Sequence, residues 1–189
     1  MAEATSALQA VWSSGRCSPP GTAGIILTVI EGFILIQIAA WPNSLAIVGA
    51  EAARSAECST APGPGRVEAG PAARILRIEP LKWWLISDVD LVKPDLQAEM
   101  GAVLDISQSR VWLRFTGPKA SQLLNHVLPI DLSDAAFPDG VVASSVFHHV
   151  GVTLWREGAN FNLILPRSFA ASLSEILIES ASQYGLEVV

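Results

Sequence analysis

The chain has 189 residues and a mass of 20.0 kDa, enough for one domain with a full core and short for two. A formal charge of −6, a pI near 5.0 and basic residues scattered along the chain exclude a surface that neutralises nucleic-acid phosphates. Half of the residues are hydrophobic and only 16% are charged, a balance that suits a subunit burying surface on others better than a free monomer.

Residues 1–23 read as an extended N-terminal arm. Ser13-Ser14-Gly15 and Ser18-Pro19-Pro20-Gly21 leave no periodicity, and Leu8, Val11 and Trp12 offer a weak apolar anchor. Met1-Ala2-Glu3 puts an acid where a secretory signal carries basic residues, so cytoplasm is the default location. Cys17 and Cys58 lie outside the assignable elements and read as free thiols, not as a disulfide framework.

From residue 24 to 189 the pattern predicts a single α+β domain, with antiparallel sheets packed against helices. Ile25 to Trp41 is the most apolar run, yet it is too short to span a bilayer and carries Glu31 at its middle. Two strands, Ile25 to Ile30 and Phe33 to Ala39, are expected instead, joined through Glu31-Gly32 as a tight hairpin turn. Trp41-Pro42-Asn43-Ser44 then breaks and caps a helix from Leu45 to Glu57, with a thin stripe of Leu45, Val48, Ala52 and Ala56. The stretch 58–73, with Pro62-Gly63-Pro64-Gly65 and Gly70-Pro71, reads as a surface loop without any element.

Ile75 to Ile78 and Lys82 to Ser87 read as paired strands around Glu79-Pro80-Leu81, with Trp83 and Trp84 on opposite faces, one of them core and the other a cover for a neighbour or partner. Pro94 is expected to open a short helix carrying Leu96, Gln97 and Met100. Val103 to Ile106 is an apolar strand. Arg110 to Thr116 alternates strictly, with Val111, Leu113 and Phe115 on one face and Trp112, Arg114 and Thr116 on the other. Thr116-Gly117-Pro118 is the expected helix start, followed by Ala120, Leu123, Leu124 and Val127 at helical spacing up to Pro129. Val141 to Phe147, Val150 to Trp155 and Phe161 to Leu165 read as three antiparallel strands. Ser168 is the expected cap of a last helix whose face is Phe169, Leu173, Ile176, Leu177, Ser180 and Tyr184; Gly185 ends it, and Leu186 to Val189 adds a strand. A β-α-β-β-α-β order is suggested over 74–130 and again after 141.

Catalytic signatures are lacking. His148 and His149, read as strand neighbours, point to opposite faces and do not share a metal, and His126 suits the C-terminal end of its helix. Asp105, Ser107 and Ser109 with a distant histidine do not make a triad, and no Gly-x-Ser-x-Gly, P-loop or Gly-x-Gly-x-x-Gly run occurs. No catalytic, cofactor-binding or metal residue is assigned.

The runs DISQSRVWLRFTGPKASQLL, LPIDLSDAAFPDG and HHVGVTLWREGANFNLILPRSFAASLSEIL carry a likeness. Their most specific pieces are Asp105-Ile106-Ser107, Gly117-Pro118, Leu132-Ser133 with Phe137-Pro138 and Gly140, and Pro166-Arg167-Ser168-Phe169-Ala170. From Arg74 to Tyr184 the chain resembles the gamma subunit of heterotetrameric sarcosine oxidase, a family related to the folate-binding fold of the glycine-cleavage T-protein.

The resemblance implies a non-catalytic subunit with alpha, beta and delta partners. The complex would oxidise sarcosine or a related N-methyl amine to glycine and hydrogen peroxide and pass the one-carbon unit to tetrahydrofolate. FAD, FMN, NAD, tetrahydrofolate and zinc would then sit on the partners, and neither nucleic acid nor membrane is expected as a partner. In the T-protein family acidic side chains hold the pterin; no residue here is matched to them. The alternative reading is a free-standing small folate-binding or aminomethyltransferase-like protein, which needs acidic residues lining a pocket.

Overall fold

The computed structural model describes Leu8, Gly15, Arg16 and residues 23–189. In chain order the first elements are β1 (Gly15–Arg16), β2 (Ile25–Ile30), β3 (Ile34–Ala40) and α1 (Leu45–Ser55). Four strands follow: β4 (Val67–Ala69), β5 (Arg74–Glu79), β6 (Lys82–Ser87) and β7 (Gly101–Asp105). Then come β8 (Arg110–Thr116), α2 (Ala120–Val127), β9 (Val142–Phe147), β10 (Val150–Glu157) and β11 (Asn160–Pro166). The chain closes with α3 (Ala170–Ala181) and β12 (Leu186–Val188). The α+β class expected from the periodicity is the one observed.

Where the sequence suggests one domain over 24–189, the residues fall into two compact units. One holds Met1–Glu31, Ser109–Asp139 and Ser144–Val189; the other holds Gly32–Gln108 and Gly140–Ala143. The division follows two sheets, of seven strands in the order β1-β12-β2-β8-β11-β10-β9 and of five in the order β4-β5-β6-β3-β7.

In the first unit β8 lies between β2 and β11, both antiparallel to it, so its alternating sequence is paired along both edges. Leu113 faces Leu163 on one side and Val29 on the other. β12 joins β2 in parallel, and β1 pairs with β12, so the arm is tied to the sheet at Gly15 and Arg16; Leu8 is also buried. The rest of the arm, Trp12 and Cys17 included, lies outside the described residues. Helix α2 packs on α3 and β11, burying Ala120, Leu123 and Leu124.

In the second unit β3 lies between β6 and β7 and is antiparallel to both. Its Ile36 and Ile38 form a core with Val48 and Ala52 of α1, with Ala56 at the end of that helix, and with Ile75, Trp83 and Leu85. Gly49 of the helix faces the Trp83 ring, where a Cβ would stand in ordinary contact at 3.4 Å. Ser44 precedes α1 as expected, but its hydroxyl bonds the Trp41 backbone and the Met100 carbonyl, so it fastens the helix start to the approach to β7.

Several expectations are corrected. Glu31-Gly32 does not close a hairpin: β2 and β3 are in different sheets, because each takes partners on both edges from distant parts of the chain. The stretch 58–73 contains the edge strand β4, formed where Arg66 to Ala69 is free of proline and glycine and β5 offers an open edge. The helix from Pro94 reduces to a turn with Gln97 O accepting the Met100 N–H (2.9 Å), as the six residues between Pro94 and Gly101 are too few to sustain one. Helix α2 starts at Ala120, so Pro118 stands in the preceding turn. Helix α3 starts at Ala170 after a 3-10 turn and buries Ala170, Leu173, Ser174, Leu177 and Ala181; Phe169 is exposed, and Ser168 makes no cap bond. The order is β-β-β-β-α over 74–130 and β-β-β-α-β after 141.

Candidate functional site

The pieces that carry the resemblance mark places where loops are fastened. Asp105 ends β7, and its Oδ1 accepts the Ser107 N–H (3.1 Å) and hydroxyl (2.6 Å), while Lys93 Nζ lies 2.7 Å from Oδ2. Ser107 Oγ in turn accepts the Leu35 N–H at 2.9 Å, so Asp105-Ile106-Ser107 pins the end of β7 to β3. The Lys93 ammonium first, and then Ser107, hold the Asp105 carboxyl down at about 2. Gly117, at φ +101°, brings the backbone against Gly24, whose carbonyl would lie 2.6 Å from any Cβ at 117.

The loop after α2 is clamped by Arg156 of β10. Its guanidinium reaches Asp134 (2.6 Å) and the Phe137 carbonyl (3.1 Å), Nε donates to the Gly158 carbonyl (2.8 Å), and the group stacks on Phe161. Asp139 accepts the Gly158 N–H at 2.7 Å, and buried Phe137 stacks on Phe161 with centroids 6.5 Å apart. Asp131 accepts the Ser133 N–H, which keeps its carboxyl below the usual range. Leu132-Ser133 and Phe137-Pro138 therefore belong to one tethered loop.

The histidines do not converge on a metal. His148 and His149 form the turn between β9 and β10, with His148 at φ +54°, and not strand positions as expected; the two residues left between Phe147 and Val150 must reverse the chain. His126 is exposed in the last turn of α2. His126 and His148 border a groove of about 640 Å³ floored by Val127, Leu128, Val146 and Ile176, with no acidic side chain in its lining. Among the described residues no group of three metal-ligating side chains occurs. Cys58 is partly buried, and burial raises its thiol pKa.

The polar cluster that sequence reasoning missed lies in the seven-stranded sheet. Trp112, read on the strand face opposite Val111, Leu113 and Phe115, is fully buried; its Nε1 donates to Asn162 Oδ1 (3.0 Å) and its ring lies 5.5 Å from Trp155. Arg114 donates from Nε to the same oxygen (3.1 Å) and stacks over Trp112. The signal was present, since Asn162 interrupts the apolar run of β11. Trp83 and Trp84, expected to divide between core and cover, are both buried, at 1% and 6% exposure; Trp84 Nε1 donates to Gln37.

No protein-family model matches the chain. The sarcosine oxidase subunit gamma of Corynebacterium sp. strain P-1 is 36% identical over 92 residues, which make up 48% of this chain and 45% of that protein. The match thus spans about half the length of the curated relative. A chain of the heterotetrameric sarcosine oxidase from Corynebacterium sp. U-96, in complex with pyrrole 2-carboxylate, superposes with a TM-score of 0.72 at 22% identity, covering 89% of both chains. The glycine cleavage system aminomethyltransferase T from Bartonella henselae gives 0.58 at 17% identity, over 88% of this chain and 48% of that one. No helix among the described residues is long and apolar enough to cross a membrane. The chain is therefore similar in sequence to the gamma subunit of sarcosine oxidase over about half its length, and it has the α+β fold found in that heterotetramer and in the T-protein.

Proposed function

We propose that the chain is a structural, gamma-type subunit of a heterotetrameric sarcosine-oxidase-like complex. The observation that carries this reading is the fold match over 89% of both chains, joined to 36% identity with a gamma subunit. In this reading alpha, beta and delta partners hold FAD, FMN, NAD, tetrahydrofolate and zinc in the cytoplasm. Sarcosine, or a related N-methyl amine, is oxidised by oxygen to glycine and hydrogen peroxide, and the methyl carbon leaves on tetrahydrofolate. This chain's contribution is geometric: its clamped loops and closed cores present a stiff surface, and exposed apolar side chains such as Trp41, Ile47, Leu104 and Phe169 are covered on assembly.

Co-expression with the alpha, beta and delta subunits of a heterotetrameric sarcosine oxidase, followed by size-exclusion chromatography, tests the reading. The chain is expected to co-elute stoichiometrically with the flavoprotein subunits, and alone to show neither flavin absorbance nor oxygen uptake with sarcosine. A yellow, sarcosine-oxidising protein made from this chain alone, or an active complex assembled without it, refutes the proposal.

A further inference from the structure

One row of side chains crosses three strands of the seven-stranded sheet. Arg114 on β8 faces Asn162 on β11, and Asn162 faces Trp155 on β10. Asn162 Oδ1 is the acceptor in this row and is used twice, by Arg114 Nε and Trp112 Nε1. That fixes the amide, because turning it over would aim an NH₂ at two N–H groups. Asn162 Nδ2 and Trp155 Nε1, both on side chains at 0% exposure, then have no acceptor among the described residues.

Arg114 itself is half-buried, and among the described residues no carboxylate pairs with its terminal nitrogens. The row gathers donors around one guanidinium in a chain of net charge −6. A guanidinium held by stacking and by its Nε keeps its outer nitrogens in the planar fork that matches a carboxylate, with little rotamer freedom left to lose.

We propose that Arg114, backed by Asn162 and Trp155, forms a carboxylate-binding site on this sheet. The bound group is a carboxylate taken in a fork by the Arg114 terminal nitrogens, with Trp112 as the platform that keeps the guanidinium flat.

The test is an NMR titration of the full chain with sodium acetate against sodium chloride at equal ionic strength. It follows the side-chain N–H signals of Arg114 Nε, Asn162 Nδ2 and the Trp155 indole. Saturable shifts with acetate alone are expected, and Arg114→Gln should weaken them roughly tenfold or more. Arg114→Lys, which keeps the charge and loses the fork, should fall between, and it also serves if the glutamine variant does not fold. A capped Gly-Asp-Gly peptide separates the sources: tighter binding than acetate assigns the site to an acidic residue of a partner chain, and equal binding assigns it to a small free acid. Shifts that are linear in salt and the same with chloride, or that survive in Arg114→Gln, overturn the site.

Discussion

Replacing Asn162 by leucine removes the oxygen on which Trp112 and Arg114 both depend, and the structure sets the balance of the consequences. Trp112 is fully buried, so its Nε1–H is left without an acceptor, at a cost of about 1–3 kcal/mol. Arg114 is half-buried and can turn its Nε toward water, so its loss stays below about 1 kcal/mol. Against this, leucine also removes the unpaired Asn162 Nδ2, a relief on the order of 1 kcal/mol. The net expectation is a loss of about 1–2 kcal/mol, or roughly 2–8 °C in melting temperature. Trp112→Phe alone also loses packing, so the informative quantity is the double-mutant cycle, in which the packing change cancels. Urea melts of the wild type, both single variants and the pair should give a coupling energy of about 1–2 kcal/mol. Additivity within about 0.5 kcal/mol would show that the hydrogen bond contributes nothing and that the row is ordered by packing alone.

Asp105→Asn tests the fastening of β7. The folded pKa of about 2 lies below the ordinary carboxylate value, so the stabilisation is present above roughly pH 4 and is lost as pH falls through about 2. Because Lys93 and Asp105 are 58% and 43% exposed, the difference from wild type at neutral pH should stay below about 1 kcal/mol, and melts at several pH values should show it vanish in acid. Leu123→Asp places an unpaired carboxylate on the buried face of α2 and should cost several kcal/mol; an unchanged melting temperature would contradict that register. Gly117→Ala combines a positive φ with a 2.6 Å clash against Gly24 O, and denaturant melts should show a loss of more than about 1 kcal/mol.

The candidate site was only partly legible in the residues. Asp105-Ile106-Ser107 and Phe137-Pro138 stood out as motifs, yet what they do depends on Leu35 and Arg156, which are distant along the chain. Asn162 was visible as a polar break in an apolar run, but its partners come from β8 and could be named only with the register in hand.

Local pattern by itself determined the elements whose signal is complete within a few residues. β8 shows strict alternation, the apolar stripe of α2 has helical spacing, and β5 and β6 flank a proline turn. In each, the side-chain period and the flanking turn residues already fix the type of element, while the burial of both faces of β6 and β8 came only with the packed sheets. The tertiary structure decided which strands pair and which face is covered. Ile25–Ile30 and Ile34–Ala40 look like a hairpin because they are adjacent, but each is a central strand that must satisfy both edges, and those partners lie up to about 160 residues away. In the same way α3 turned its small residues Ala170, Ser174 and Ala181 inward in preference to Phe169 and Tyr184. Close approach to neighbouring elements is a property of the packed fold, and hydrophobicity along one helix does not encode it.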